Sequence, residues 1–166
     1  MDKAIYLAIY LSGRWSILAC LFRLHETNGG YGIGGKMVTV NLSIDVPDLE
    51  SGLAFYTTVF GFSETSRPFK EMAVVNAGNL TICIHEKPDG STPSPQTVEV
   101  RRYSRHWTPV HPDFHVDNFD EVLEIAKANG AGVEQLFKIP GRKSVAFCSD
   151  PFGNGFCLIE SAPGQT

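Results

Sequence analysis

The sequence lacks the features that mark several large classes of protein. Its 166 residues carry 14 lysines and arginines against 18 aspartates and glutamates, which gives a net charge of −4. Proteins that bind the nucleic-acid backbone rely on clustered positive charge, so we expect no nucleic-acid partner. The four cysteines show no CxxC pair and no dense spacing. We interpret them as reduced thiols of a cytoplasmic protein, and we expect no disulfide framework.

A long uninterrupted apolar run is also missing. Residues 4–11 are apolar, but a polar interruption that includes Arg14 precedes the next apolar run at residues 17–22. An arginine near the centre of a membrane helix costs about 2.5–3.5 kcal/mol. The neutral start of the chain is not the basic n-region of a signal peptide. We therefore expect no membrane partner.

Residues 1–36 are interpreted as an N-terminal extension whose role stays open. The codons for residues 34–36 can carry GGAGG just before Met37, which resembles a bacterial ribosome-binding site, and Met37 would then be the true start. In the alternative, the extension is a flexible segment or a helix that packs on the domain. Residues 37–162 form one domain of ordinary size, and residues 163–166 are a short tail.

A pattern of strand, acidic turn and helix is written twice in the chain. Its copies are VNLSIDVPDLESGLAFYTTVFG at residues 40–61 and VHPDFHVDNFDEVLEIAKANG at residues 110–130. They align without a gap, with Asn41 on His111, at an offset of 111 − 41 = 70 residues. Two copies indicate a pseudo-symmetric pair of modules, not a solenoid.

The remaining elements follow from periodicity and turn signals. Helices are predicted at Asp48–Phe60 and Asn118–Asn129, where Asp48 and an Asn118–Glu121 capping box begin them. The other predicted strands lie at residues 72–76, 80–85, 144–149 and 155–160. The proline-rich residues 87–109 are the predicted linker between module one (37–86) and module two (110–162).

Three phrases of the sequence are together similar to one known superfamily. They are IDVPDLESGLAFYTTVFGF, FHVDNFDEVLEIAKANGAGV and the closing DPFGNGFCLIE. The chain resembles the glyoxalase, bleomycin-resistance and extradiol-dioxygenase proteins, the vicinal oxygen chelate (VOC) superfamily. The resemblance implies an α+β fold in which two βαβββ modules form a curved mixed sheet around a concave cavity, commonly in a homodimer.

Strand alternation then selects the side chains that face the implied cavity. In the first strand of each module these are Asn41, Ser43, His111 and Asp113. In the strand at residues 80–85 they include Cys83 and His85, and the family position in the last strand is Cys157. These seven residues form the predicted ligand-binding cavity.

The resemblance also implies where a metal would bind. Family enzymes take four ligands, at positions that match Asn41, Cys83, His111 and Cys157, and only His111 keeps a usual ligand. Magnesium and manganese prefer carboxylate oxygens, so we expect no metal cofactor. The alternative is a divalent metal, zinc above all, on Cys83, His111 and Cys157.

Two functions remain open at this point. In the first, the protein is a metal-independent binding protein that sequesters a small apolar molecule, as drug-resistance members of the superfamily do. In the second, it is a lyase, isomerase or dioxygenase-like enzyme that uses His111, with Asp113 as its partner, with or without a metal. The basic aromatic segment at residues 101–107 either grips an anionic ligand or is a solvated linker or dimer-contact patch.

Overall fold

The computed structural model describes residues 39–106 and 108–161, so the interpretations of residues 1–36, of Trp107 and of the tail lie outside the described residues. The elements are β1 Asn41–Val46, α1 Leu49–Phe60, β2 Ser63–Phe69, β3 Met72–Asn76, β4 Thr81–Glu86, β5 Asp113–Val116, α2 Phe119–Ala128, β6 Gly132–Phe137, β7 Val145–Ser149 and β8 Gly155–Glu160. No helix in this part of the chain is long and apolar enough to cross a membrane.

The strands form two open four-stranded sheets with the same topology. Their orders are β1-β4-β3-β2 and β5-β8-β7-β6. The first strand of each module runs parallel to the last one, and the other pairs are antiparallel. The predicted α+β fold of two βαβββ modules with mixed sheets is confirmed.

The repeat read from the sequence recurs in the register of the sheets. Ser43 pairs with Cys83 in module one, and Asp113, 70 positions after Ser43 (113 − 43 = 70), pairs with Cys157 in module two. The helices obey the same offset, since α2 begins at Phe119 and α1 at Leu49 (119 − 49 = 70). The two modules are therefore structural copies.

The helices begin and end close to the predicted residues, although one cap differs. Asp48 accepts a hydrogen bond from Ser51 N at 2.8 Å, and Gly61, in the left-handed region at φ 68°, ends α1. Asn118 caps no backbone N–H, and its side-chain amide donates to the Glu121 carboxylate at 3.3 Å. The capping-box prediction for α2 is wrong in that respect.

Strand β5 is shorter than the sequence predicted. It starts at Asp113, so His111 lies just before the strand and not within it. Pro112 has no N–H to donate to a ladder, and its carbonyl accepts from Cys157 N at 3.0 Å. The regular ladder consequently begins one residue after the proline.

One hydrophobic core joins the two modules. It contains Leu53 and Tyr56 of α1, which are buried, and Phe114 and Val122, which are half-buried at its edge. Aromatic rings cross the module boundary: the Phe60 ring lies 4.4 Å from that of Phe114. The modules are thus packed through α1 and not merely tethered by the linker.

A buried hydrogen-bond network ties α1 to the turn before β8. The hydroxyl of Tyr56 donates to Asp150 Oδ2 at 2.9 Å, and Asp150 Oδ1 accepts from the backbone N–H groups of Phe152 and Asn154. The Asn154 amide donates to Asp150 Oδ2 at 2.8 Å and to the Asp45 carbonyl at 3.2 Å. Burial raises the pKa of Tyr56 well above its ordinary value, and it raises the pKa of Asp150 against the opposing effect of these hydrogen bonds.

Residues 101–106, which we call the linker strap, cross from one module to the other. At one end, Arg101 Nε lies 2.6 Å from Asp45 Oδ2 on β1. At the other end, Arg105 forms an ion pair with Glu134 on β6. The strap is therefore fixed to both sheets by charge-assisted hydrogen bonds.

The strap also packs directly on the turn that contains Asp150. Gly153 has a φ of +87°, and a Cβ atom there would lie 2.6 Å from the Ser104 carbonyl carbon. A Cβ atom on Gly155 would meet the Arg105 guanidinium at 3.1 Å. Glycine at these two positions is what lets the strap approach the turn.

Replacing Tyr56 by phenylalanine tests the buried network. We expect Tyr56→Phe to lower the free energy of unfolding by about 1.5–3 kcal/mol at pH 7, because the lost bond is to a carboxylate. The hydrogen bond from Tyr56 holds the pKa of Asp150 lower than it would be without that bond. The stability that the bond contributes is therefore present at pH values above the pKa of Asp150 and is lost as the pH falls through that pKa. Urea denaturation at pH 7 and pH 4 should show the larger loss at pH 7.

Tyr103→Phe is the matched control, because the Tyr103 hydroxyl donates to the uncharged carbonyl of Lys87 at 2.7 Å. Its loss should be about 0.5–1.5 kcal/mol and the same at both pH values. A Tyr56→Phe loss that is equally independent of pH would contradict the assignment of an ionised Asp150.

Replacing Gly153 by alanine tests the contact between strap and turn. Gly153→Ala places a Cβ atom on a left-handed backbone and against the Ser104 backbone. Gly78 also has a left-handed backbone, at φ +78°, but a Cβ atom there would meet no atom within 4 Å, so Gly78→Ala introduces only the backbone strain. Gly153→Ala should destabilise the protein by about 1–3 kcal/mol more than Gly78→Ala, as overpacking does. Equal losses in urea denaturation would show that the strap does not rest on the turn.

Candidate functional site

A cleft lies where the two modules meet, and His106 of the linker strap forms part of its wall. It measures ≈ 340 Å³, within the roughly 300–1,000 Å³ range of small-molecule sites. The residues that line it come from β1, α1, the linker and the start of β8. They are Leu42, Ser43, Ile44, Asp45, Tyr56, His106, Thr108, Val110, His111, Pro112, Asn154 and Gly155.

The polar groups of the cleft are partly committed to the protein itself. The hydroxyl of Tyr56 is donated to Asp150, and that of Thr108 is donated to the Val110 carbonyl at 2.9 Å. His106 Nδ1 lies 3.0 Å from the Ser104 carbonyl, which fixes that ring nitrogen as the donor and leaves Nε2 as an acceptor. A ligand would therefore meet apolar walls with a few hydrogen-bonding groups.

A cluster of three possible metal ligands lies next to the cleft on the sheet of module two. His111, Asp113 and Cys157 each place one ligand atom within 4.8 Å of the others. His111 Nε2 is 3.4 Å from Asp113 Oδ1, and both side chains are about half exposed. Asp113 pairs with Cys157 in the parallel ladder between β5 and β8, which brings their side chains to one face.

The Cys157 thiol in this cluster is held in its protonated form. Burial, followed by the charge of Asp113 and a hydrogen bond with it, raises the pKa of Cys157 to about 11. A thiol with a raised pKa is a weak nucleophile at neutral pH. Attack by sulfur is therefore disfavoured in this cluster.

The structure divides the predicted cavity residues between separate places. Ser43 and His111 line the cleft, and Asp113 and Cys157 join His111 beside it. Among the described residues, the metal-spaced group contains Asp113 and not Cys83.

The other predicted cavity residues lie on the sheet of module one. Cys83 packs in a small cluster with Met72 and Val74. Burial, with Lys87 nearby, lowers the pKa of the half-buried His85, and Asn41 is exposed at the start of β1. Sequence reasoning grouped these residues with the cleft because strand alternation specifies a face of a sheet, not a position along it.

Several residues of the cleft were not predicted from the sequence. The sequence placed Tyr56 only within the first predicted helix, and Asn154 only between two predicted strands. Asp45 lies on the predicted polar face of β1, and its position could have been noticed from that alternation. His106 belongs to the basic aromatic segment, whose two end arginines the structure places in ion pairs within the chain.

Solved structures with the same fold include three from bacteria. One is a variant of the fosfomycin resistance protein FosX from Listeria monocytogenes, complexed with Mn(II) and 1S,2S-dihydroxypropylphosphonic acid (22% identity, 81% of this chain and 95% of that chain, TM-score 0.57). The second is a lactoylglutathione lyase from Agrobacterium tumefaciens (16% identity, 80% of this chain and 99% of that chain, TM-score 0.52). The third is a glyoxalase/bleomycin resistance protein/dioxygenase family enzyme from Burkholderia phytofirmans (20% identity, 74% of this chain and 97% of that chain, TM-score 0.56).

The sequence itself matches a family model described as a glyoxalase-like domain over residues 41–159. Among curated protein sequences there is no match to this chain. The matched residues run from the start of β1 almost to the end of β8, so they cover both modules and the linker between them. The chain belongs to the glyoxalase-like domain family, within the VOC superfamily.

Proposed function

We propose that this protein binds a small, largely apolar molecule in the cleft between its modules and does so without a metal ion. The observation that carries the proposal is the cleft itself, with a volume of ≈ 340 Å³ and walls that include Leu42, Ile44, Val110 and Pro112. Sites of this size with mostly apolar walls and few polar groups are typical of small-molecule binding.

The rigidity of the cleft supports binding as its role. Its walls include Tyr56 and Asn154, which are held by Asp150, and His106 of the linker strap, which is fixed by two ion pairs. A preorganised site loses little conformational entropy when the ligand enters. The hydroxyl hydrogens of Tyr56 and Thr108 are already donated within the protein, so these two groups are not available as donors to a ligand.

The proposal includes a homodimer. Phe137 and Phe147 are 37% and 40% exposed, and their ring centroids lie 5.5 Å apart, edge to face, on the face of the second sheet that carries Cys157. Phe147 is the register partner of Cys157, so this apolar surface continues into the His111 cluster. A second copy of the chain would cover it. The cytoplasmic location expected from the sequence stays a prediction.

Filling the cleft tests the binding proposal. The probe is 2-naphthol, an uncharged fused-ring molecule, and its binding is measured by isothermal titration calorimetry. Val110 lines the cleft and is 77% exposed, so Val110→Trp should fill the space without disturbing the core. We expect one probe per chain, with affinity at least about tenfold lower in Val110→Trp, or about 1.4 kcal/mol.

Val98→Trp is the control, because Val98 is 94% exposed and does not line the cleft. It should leave probe affinity unchanged. Equal losses in the two variants, or no binding of the probe to the unmodified protein, would contradict the proposal.

A second candidate function, a metal-dependent lyase, isomerase or dioxygenase-like enzyme, is favoured by the cluster of His111, Asp113 and Cys157. Imidazole, carboxylate and thiolate are all ligands of zinc, and the spacing of the three atoms suits one ion. The single carboxylate fits magnesium or manganese poorly. A bound zinc would supply a Lewis acid, while His111 and Asp113 would hold it next to the cleft.

Elemental analysis of protein purified without chelator separates the two functions. We expect less than about 0.1 zinc per chain, because the protonated Cys157 thiol must lose its proton before it can bind a metal. About one zinc per chain, lost in His111→Ala and Cys157→Ala, together with turnover that a chelator abolishes, would establish the enzyme instead. Cys148→Ala, which removes a buried cysteine outside the cluster, is the control.

The same measurement distinguishes the two possible ligand sets. If zinc were found, its loss in Asp113→Asn but not in Cys83→Ala would identify the cluster seen in the structure. Loss in Cys83→Ala would instead identify the set predicted from the sequence.

A further inference from the structure

We infer that the cleft accepts uncharged ligands and rejects anions, and that the carboxylate of Asp45 is the group responsible for the rejection. The inference rests on the proposed function, because it names the chemical class of ligand for the same cleft. It concerns electrostatic selection, which is a difference between the affinities of two ligands.

The charges around the cleft are negative on balance. Among the described residues that line it, none is a lysine or an arginine, and Asp45 is the one carboxylate. Two further carboxylates lie directly behind lining residues: Asp113 is 3.4 Å from His111, and Asp150 accepts from Tyr56 and Asn154. An anionic group in the cleft would be repelled by these carboxylates.

The positive charge of Arg101 is already neutralised. Arg101 does not line the cleft, and its Nε donates to Asp45 Oδ2 at 2.6 Å while its Nη1 donates to Ser91 Oγ at 3.2 Å. The Arg101 side chain is 17% exposed, so solvent screens this pair only partly. The carboxylate of Asp45 thus occupies the guanidinium that an anionic ligand would need.

Arg105 gives the cleft no positive charge either. Its guanidinium lies close to Gly155, a lining residue, but it is paired with Glu134. A phosphonate or a carboxylate group therefore finds both of these guanidinium groups already paired. This arrangement suits an uncharged apolar molecule that hydrogen-bonds to side chains such as His106 and Ser43.

The arrangement also implies a latent anion site. Without the Asp45 carboxylate, Arg101 would still donate a hydrogen bond to Ser91, which would hold it beside β1, but its guanidinium would have lost its carboxylate partner. Guanidinium groups bind carboxylates and phosphates strongly when their donors are available. One substitution should therefore reverse the charge preference of the cleft.

The test compares two probes that share one ring system, 2-naphthol and 2-naphthoate, by calorimetry at pH 7. In the unmodified protein, naphthol should bind at least about tenfold more tightly than naphthoate, as repulsion at short range predicts. Asp45→Asn should shift the affinity ratio toward naphthoate by at least about tenfold. The double variant Asp45→Asn/Arg101→Gln should return the ratio toward its original value, because the guanidinium is gone.

Glu124→Gln is the control for net charge. Glu124 lies on the exposed side of α2, pairs only with Lys127 among the described residues, and does not line the cleft. The ratio of the two probe affinities in Glu124→Gln should therefore equal that in the unmodified protein. Equal binding of the two probes to the unmodified protein, or an unchanged ratio in Asp45→Asn, would overturn this inference and leave the binding proposal intact. Failure of both probes to bind would overturn the proposed function, and this inference with it.

Discussion

The buried hydrogen bond between Tyr56 and Asp150 is the constraint on which the arrangement of the two modules depends. Both side chains are 2% exposed, and a carboxylate at such a depth is tolerated only when its oxygens are satisfied. Asp150 meets that condition with four donors, one from α1 and three from its own turn. The bond therefore fixes α1 against the turn before β8, and with it the spacing of the two sheets.

The cleft exists because this spacing is held while the linker strap spans the gap. Asn154 connects the turn before β8 to the first sheet, since its amide donates both to Asp150 and to the carbonyl of Asp45. The strap is attached to Asp45 at one end and to Glu134 at the other, and it rests on Gly153 between them. Asp45, Tyr56 and Asn154 thus both connect the two modules and line the cleft.

Local patterns predicted most of the fold and little of the site. Strand alternation, the Asp48 cap and the glycine after α1 depend on neighbours within a few residues, so the modules and the repeat could be read directly. The partners of Tyr56 and Arg101 lie 94 and 56 residues away, and no local pattern selects a partner at that distance. Likewise, Asp113 joins His111 and Cys157 because β5 and β8 are adjacent, whereas Cys83 lies in the other module.

The separation of Tyr56 from Asp150 has a consequence for how the protein is made. Module one emerges from the ribosome first, and Asp150, the partner of its Tyr56 hydroxyl, is synthesised 94 residues later. Contacts of such long sequence separation are costly in loop-closure entropy and form late. Until the turn at Asp150 has been translated, α1 exposes apolar surface that belongs to the shared core. The nascent first half of this chain is therefore a natural client for chaperones.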